Sequence, residues 1–212
     1  MSSEVLNNQN IVRAENLRRG RKLEYVTIVW NSLEAVIAVG AGLFAGSIAL
    51  VGFGFDSVIE VSSGVILLWR LSGNDEREKI ALRLVGLSFL VLAAYVAFDA
   101  TKSLWFRESP EESYIGIGIA ALSLIVMPIL ARAKRRVAAN LNSRALQADS
   151  RQTDICAYLS AILLVGLGLN AVFGWWWADP FAALLMIPII AKEGIQALRG
   201  EACCDIENKC SK

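Results

Sequence analysis

Of 212 residues, 55% are hydrophobic and 19% are charged, and the formal net charge of +1 excludes both an acidic disordered chain and a basic nucleic-acid binder. The apolar residues run in long unbroken stretches, where a soluble domain of this length would spread them in short periodic stripes. Histidine is absent, which removes the commonest metal ligand and the usual physiological-pH switch.

The first 24 residues are polar, rich in Asn and Arg, and lack the apolar stretch and cleavage site of a secretory signal. Residues 1–23 therefore read as a cytoplasmic tail. Six helices are predicted at about 24–46, 47–71, 80–105, 114–134, 146–173 and 179–198, each near the roughly 20 residues that cross a bilayer. The expected fold class is all-α, a polytopic membrane protein whose six transmembrane helices lie within residues 24–199, followed by a cysteine-containing tail at 200–212. The run from Val26 to Phe55 carries a single ionisable side chain, Glu34. The run from Ile155 to Trp177 has no formal charge other than a possible thiolate at Cys156. Asp179 followed by Pro180 reads as an N-cap with proline at the first helical position, and Pro128 and Pro188 fall inside the fourth and sixth helices.

Lysine and arginine set the expected orientation. Arg13, Arg18, Arg19, Arg21 and Lys22 precede the first helix. Arg70, Arg77, Lys79 and Arg83 flank the second loop, and Arg132, Lys134, Arg135, Arg136 and Arg144 fall in the fourth. These belong on one side, the cytoplasm, together with both chain ends. The opposite loops are the turn at Gly46, the acidic link at Glu108, Glu111 and Glu112, and the tryptophans Trp175, Trp176 and Trp177, which suit an outer interface. The cysteines Cys156, Cys203, Cys204 and Cys210 do not make the dense framework of a secreted disulfide domain.

An ionisable group at bilayer depth costs about 2.5–3.5 kcal/mol on insertion scales, so each needs a partner, a water path or a function. From Ser47, Asp56 lies about 14 Å down the second helix, near the midplane, and Glu60 follows one turn later. Residues four apart share a helix face, so both carboxylates can address one cation, and the pair without a cation is expected to hold a proton. Two faces of the fifth helix could complete the site. One carries Ser150 and Asp154 and the other Gln152 and Cys156; Asp154 and Cys156 are about 200° apart, so the two faces cannot serve one site together. Charge favours Asp154, whereas depth and thiolate affinity for zinc favour Cys156. Glu34 is a candidate proton-relay group, Asp99 a candidate partner of Lys102, and Asp149 a candidate for the cytoplasmic entrance.

The segment from Ser47 through Asp56-Ser57-Val58-Ile59-Glu60 resembles the second helix of the cation diffusion facilitator (cation efflux) family, in which two acidic residues four apart bind the transported divalent metal. Ala145 to Ser160 resembles that family's fifth helix, which supplies two further ligands, usually His or Asp. Ala178-Asp179-Pro180 and the Glu193 to Glu201 ending resemble its sixth. Aligned without a gap, the family's fifth-helix ligand positions fall on Gln152 and Cys156. The resemblance thus implies a metal set of Asp56, Glu60, Gln152 and Cys156, softer than an all-carboxylate site and suited to zinc or cadmium over manganese or magnesium. Most family members continue into a folded cytoplasmic domain that binds metal and dimerises, whereas this chain ends soon after Arg199. It therefore reads as a short member that would form a homodimer through its helices, with Cys203, Cys204 and Cys210 as a candidate metal-capture site.

These readings lead to an expected function: a secondary transporter in the cell membrane that exports a divalent cation, most favourably zinc, in exchange for protons by alternating access. Its partners are the lipid bilayer, the metal ion and protons, with no cofactor and no nucleic acid. No Walker motif is present, so an ion gradient is the expected energy source. Nothing in the sequence resembles a nucleophile and base pair, so no enzyme is expected. The rival readings are an uncoupled metal pathway and a membrane sensor or interaction protein whose carboxylates serve helix packing.

Overall fold

The computed structural model describes residues 3–70, 76–107, 111–141 and 143–199. Six helices account for nearly all of them: α1 (Ser3–Ala45), α2 (Ile48–Arg70), α3 (Glu76–Phe106), α4 (Tyr114–Leu141), α5 (Arg144–Phe173) and α6 (Ala178–Arg199). The first five contain spans long and apolar enough to cross a membrane. The chain is all-helical and polytopic among the described residues.

Two boundaries differ from the sequence reading. The first helix begins at Ser3 rather than near residue 24, so most of the polar N-terminal segment belongs to one 43-residue helix. The fourth helix runs to Leu141, so Arg132, Lys134, Arg135 and Arg136 are helical rather than in a loop. Hydropathy ends a span where charge begins. A helix needs only satisfied backbone bonds and continues past that point, especially where charged side chains find partners.

α1 shows how the bundle is organised. Asn16, Gly20, Glu24, Thr27, Asn31, Glu34 and Ala38 are buried, at steps of three or four residues that trace one seam. Tyr25, Val29, Leu33, Val36 and Phe44 are exposed between them. The helix is thus polar inward and apolar outward. Lipid rewards that arrangement, since polar groups are costly there unless they face protein.

α2 sits at the centre and touches α1, α3, α5 and α6, while α4 packs along α1 and α5, and α3 pairs with α6. Leu50, Phe53, Met127, Leu159, Leu163, Met186 and Ile190 form the buried apolar core. The α3–α6 crossing depends on two glycines: a Cβ at Gly86 would lie 2.8 Å from the carbonyl oxygen of Gly194, and one at Gly194 would lie 3.0 Å from that of Gly86. α5 closes on Gly174 in the left-handed region at φ 63°, whose N–H bonds the Asn170 carbonyl at 2.8 Å.

Asp179 corrects a local expectation. Its carboxylate does not serve as a simple cap of its own helix; it accepts from the Ser47 hydroxyl at 2.5 Å and from the backbone N–H groups of Ile48 at 3.0 Å and Ala49 at 3.4 Å. The acid of α6 therefore caps α2, helped by Ser47, which accepts from the Leu50 N–H. At the same end, the Glu111 N–H bonds the Ala45 carbonyl and Trp175 stacks on Trp177 with ring centroids 5.0 Å apart.

Candidate metal pathway

Three polar clusters lie inside the bundle. At the level of Asp56 and Glu60, on the side of α1 and α4, Glu34 of α1 accepts from Ser57 of α2 at 3.0 Å and from Ser123 of α4. It is fully buried, and these hydroxyls occupy both carboxylate oxygens. Its place in the bundle is therefore at the joint of three helices.

The central cluster is built by α2 and α5. Asp56 and Glu60 sit one turn apart on α2 and are buried, at 4% and 1% exposure. Cys156 of α5 is buried on the neighbouring helix, at 1% exposure, and makes no side-chain hydrogen bond to either carboxylate among the described contacts. Thr153 donates its hydroxyl to Glu60 Oε1 at 2.7 Å. The other Glu60 oxygen, Oε2, is buried with no hydrogen-bond partner, and the same holds for Gln152 Nε2 one turn before Cys156. Unbonded polar atoms at such depth are uneconomical unless something else meets them. Among the described residues, no group of three or more Cys, Asp and Glu side chains is gathered so as to hold a metal ion as it stands.

The third cluster surrounds Lys134 of α4, which is fully buried despite standing in the sequence reading as a topology signal. Its ammonium donates to Asp149 at 2.5 Å, Glu24 at 3.3 Å and the Thr153 hydroxyl at 3.4 Å. Since Thr153 also donates to Glu60, one hydrogen-bonded path joins this cluster to the central one.

The remaining candidates fall elsewhere. Asp154 pairs with Arg135 at 2.5 Å on a partly exposed face, and Ser150 returns its hydroxyl to the Gln147 carbonyl at 2.7 Å. Neither makes a hydrogen bond to Asp56 or Glu60 among the described contacts. Asp149 is buried and paired with Lys134. Asp99 accepts from Tyr95 at 3.4 Å. Cys203, Cys204 and Cys210 lie outside the described residues.

Sequence reasoning missed Glu24, Lys134, Thr153, Ser57 and Ser123. Glu24 had a readable signal, because it shares the three-and-four seam with Thr27, Asn31 and Glu34. Thr153 stands four residues after Asp149 and three before Cys156, a spacing that puts all three toward one side of α5. Lys134 had none, since a basic residue at the end of an apolar run looks the same whether it faces water or a buried acid.

The comparisons with known proteins agree with this architecture. An uncharacterized transporter of Synechocystis is 29% identical over 164 residues, covering 70% of this chain and 52% of its own length. The cation-efflux pump FieF of Shewanella oneidensis is 26% identical over 57% of this chain and 40% of the pump. The manganese efflux system protein MneS of Bacillus subtilis is 24% identical over 85% of this chain and 66% of that protein. The chain thus spans about half the length of the Synechocystis relative, at 52%. Residues 25–201 match the cation efflux transmembrane domain, and with its bundle of membrane-spanning helices this chain belongs to the cation efflux family.

Proposed function

We propose that this chain moves a divalent cation across the membrane, with Zn²⁺ as the favoured cargo, in exchange for protons. Asp56, Glu60, Gln152 and Cys156 are its cargo ligands in this reading. The observation that carries it is the burial of the Asp56 and Glu60 carboxylates one turn apart on α2, with Glu60 Oε2 and Gln152 Nε2 left unbonded and Cys156 buried on the adjoining α5. A thiol and carboxylates together suit a borderline-soft ion better than a hard one. Binding includes a side-chain closure that draws these donors onto one ion. Cargo binding requires deprotonated ligands, so each loading step releases protons and each unloading step takes them up, which couples metal to proton flow.

A second cargo has its own support. The name of the MneS relative specifies manganese, and Thr153 beside Glu60 adds an oxygen donor that a hard cation accepts. In this reading the positive-inside pattern favours both chain ends in the cytoplasm, an inward proton gradient drives the cation outward, and a homodimer forms through the lipid-facing helices.

The test is uptake of Zn²⁺ and of Mn²⁺ into inside-out proteoliposomes, with and without an acidic lumen. Saturable Zn²⁺ uptake stimulated by the acidic lumen and lost in Asp56→Asn is expected. Uptake indifferent to the gradient would identify an uncoupled pathway, and none by a folded protein would leave a sensor or packing role. Faster Mn²⁺ than Zn²⁺ transport would favour the second cargo.

A further inference from the structure

Among the described residues Lys134 is the one lysine or arginine buried in the protein, and the transport reading assigns it no task. Its surroundings are specific. The ammonium has three N–H donors and three acceptors: Asp149 Oδ2 at 2.5 Å, Glu24 Oε2 at 3.3 Å and the Thr153 hydroxyl at 3.4 Å. Each carboxylate spends one oxygen on it. The others, Glu24 Oε1 and Asp149 Oδ1, are buried without any hydrogen-bond partner. A point charge with three donors fits the site incompletely, whereas a divalent cation takes six or more oxygen ligands and can engage both oxygens of a carboxylate.

We infer that Glu24, Asp149 and Thr153 form a second divalent-cation site, one hydroxyl away from Glu60, in which the Lys134 ammonium is a tethered cation that an arriving metal displaces. The donor set is all oxygen, supplied by α1 and α5, with the competing charge supplied by α4. It is therefore harder than the set that includes Cys156 and takes Mn²⁺ or Mg²⁺ in preference to thiophilic ions. Through Thr153, which bonds both Lys134 and Glu60, movement of the lysine changes the hydrogen bonding of the central cluster. As a step toward Asp56 and Glu60 this site rests on the transport reading, but its capacity for metal does not.

The experiment counts Mn²⁺ bound to the purified full chain in detergent, by electron paramagnetic resonance of the free ion. Lys134→Met removes the competing charge and keeps an apolar stem of similar length, so it should bind one more Mn²⁺ per chain than the wild type at the same free concentration. Lys134→Arg, which keeps the charge, should not. The added equivalent should vanish in Lys134→Met with Glu24→Gln and Asp149→Asn, and should persist when Asp56→Asn is added, which separates this site from the proposed cargo site. A folded Lys134→Met protein with no added equivalent would overturn the proposal, as would an equivalent that survives loss of both acids. Should Lys134→Met not fold, wild-type protein decides the matter: saturating Mn²⁺ should raise modification of Lys134 by an amine-reactive succinimidyl ester several-fold, read by mass spectrometry, and unchanged modification would overturn it.

Discussion

Thr153 gives its hydroxyl proton to Glu60 and accepts from Lys134, so one small side chain ties the two acidic clusters together. The neighbouring residues on α5 have different fates for a geometric reason. At 100° per residue, Cys156 falls toward α2 while Asp154, about 200° away, falls toward Arg135 of α4. This sets a substitution test. Cys156→Ala should weaken Zn²⁺ and Cd²⁺ binding at least about tenfold by removing a thiolate ligand, and Cys156→Asp should restore binding with a preference moved toward Mn²⁺. Asp154→Asn should leave metal affinity unchanged, because it removes only a partly exposed ion pair. Metal titration of the purified variants measures both, and the reverse ranking would move the site to Ser150 and Asp154.

At the scale of the helices, the inward polar seam of α1 and the paired acids of α2 impose a strict rotational setting. A rotation of either helix by one residue would turn buried carboxylates toward lipid, at a cost of about 2.5–3.5 kcal/mol each on insertion scales. The setting of α2 is reinforced from outside by Asp179, which reaches from α6 to its first turn. Asp179→Ala would strand the Ser47 hydroxyl and two backbone donors in a buried place. The expected loss is about 1–3 kcal/mol, seen as a lower unfolding temperature in detergent. Asp179→Asn, which keeps one acceptor oxygen, should fall between the two. Equal stability of all three proteins would show that the contact contributes nothing to the fold.

For the molecule as a whole, the connections alternate between two ends. The α1–α2 turn, the Glu111 region and the Trp175–Trp177 stack share one end, while the N-terminal part of α1 and the α4–α5 connection lie at the other. Five helices are long and apolar enough to cross, and a sixth crossing by α6 would return Arg199 to the side of Ile11. In a protein freed of its native cysteines, Ile11→Cys and Arg199→Cys should react with a membrane-impermeant maleimide from the cytoplasmic side, and Glu111→Cys from the opposite side. Reaction of Arg199→Cys from the side of Glu111→Cys would mean that α6 does not cross.

Hydropathy by itself determined the helical class, the number of helices and the acid pair on α2, because long apolar runs and a four-residue spacing are local properties of the chain. The same locality explains what stayed hidden. Whether Lys134 meets water or two acids, whether Asp179 caps its own helix or another, and which face of α5 turns toward Glu60 all depend on helices far apart in sequence. Glu24 and Lys134 are separated by 110 positions, and Ser47 and Asp179 by 132. The polar groups on α5 could be satisfied in more than one rotation about its axis. Packing against α2 and α4 selected one of them, because only in contact could the buried donors and acceptors be paired.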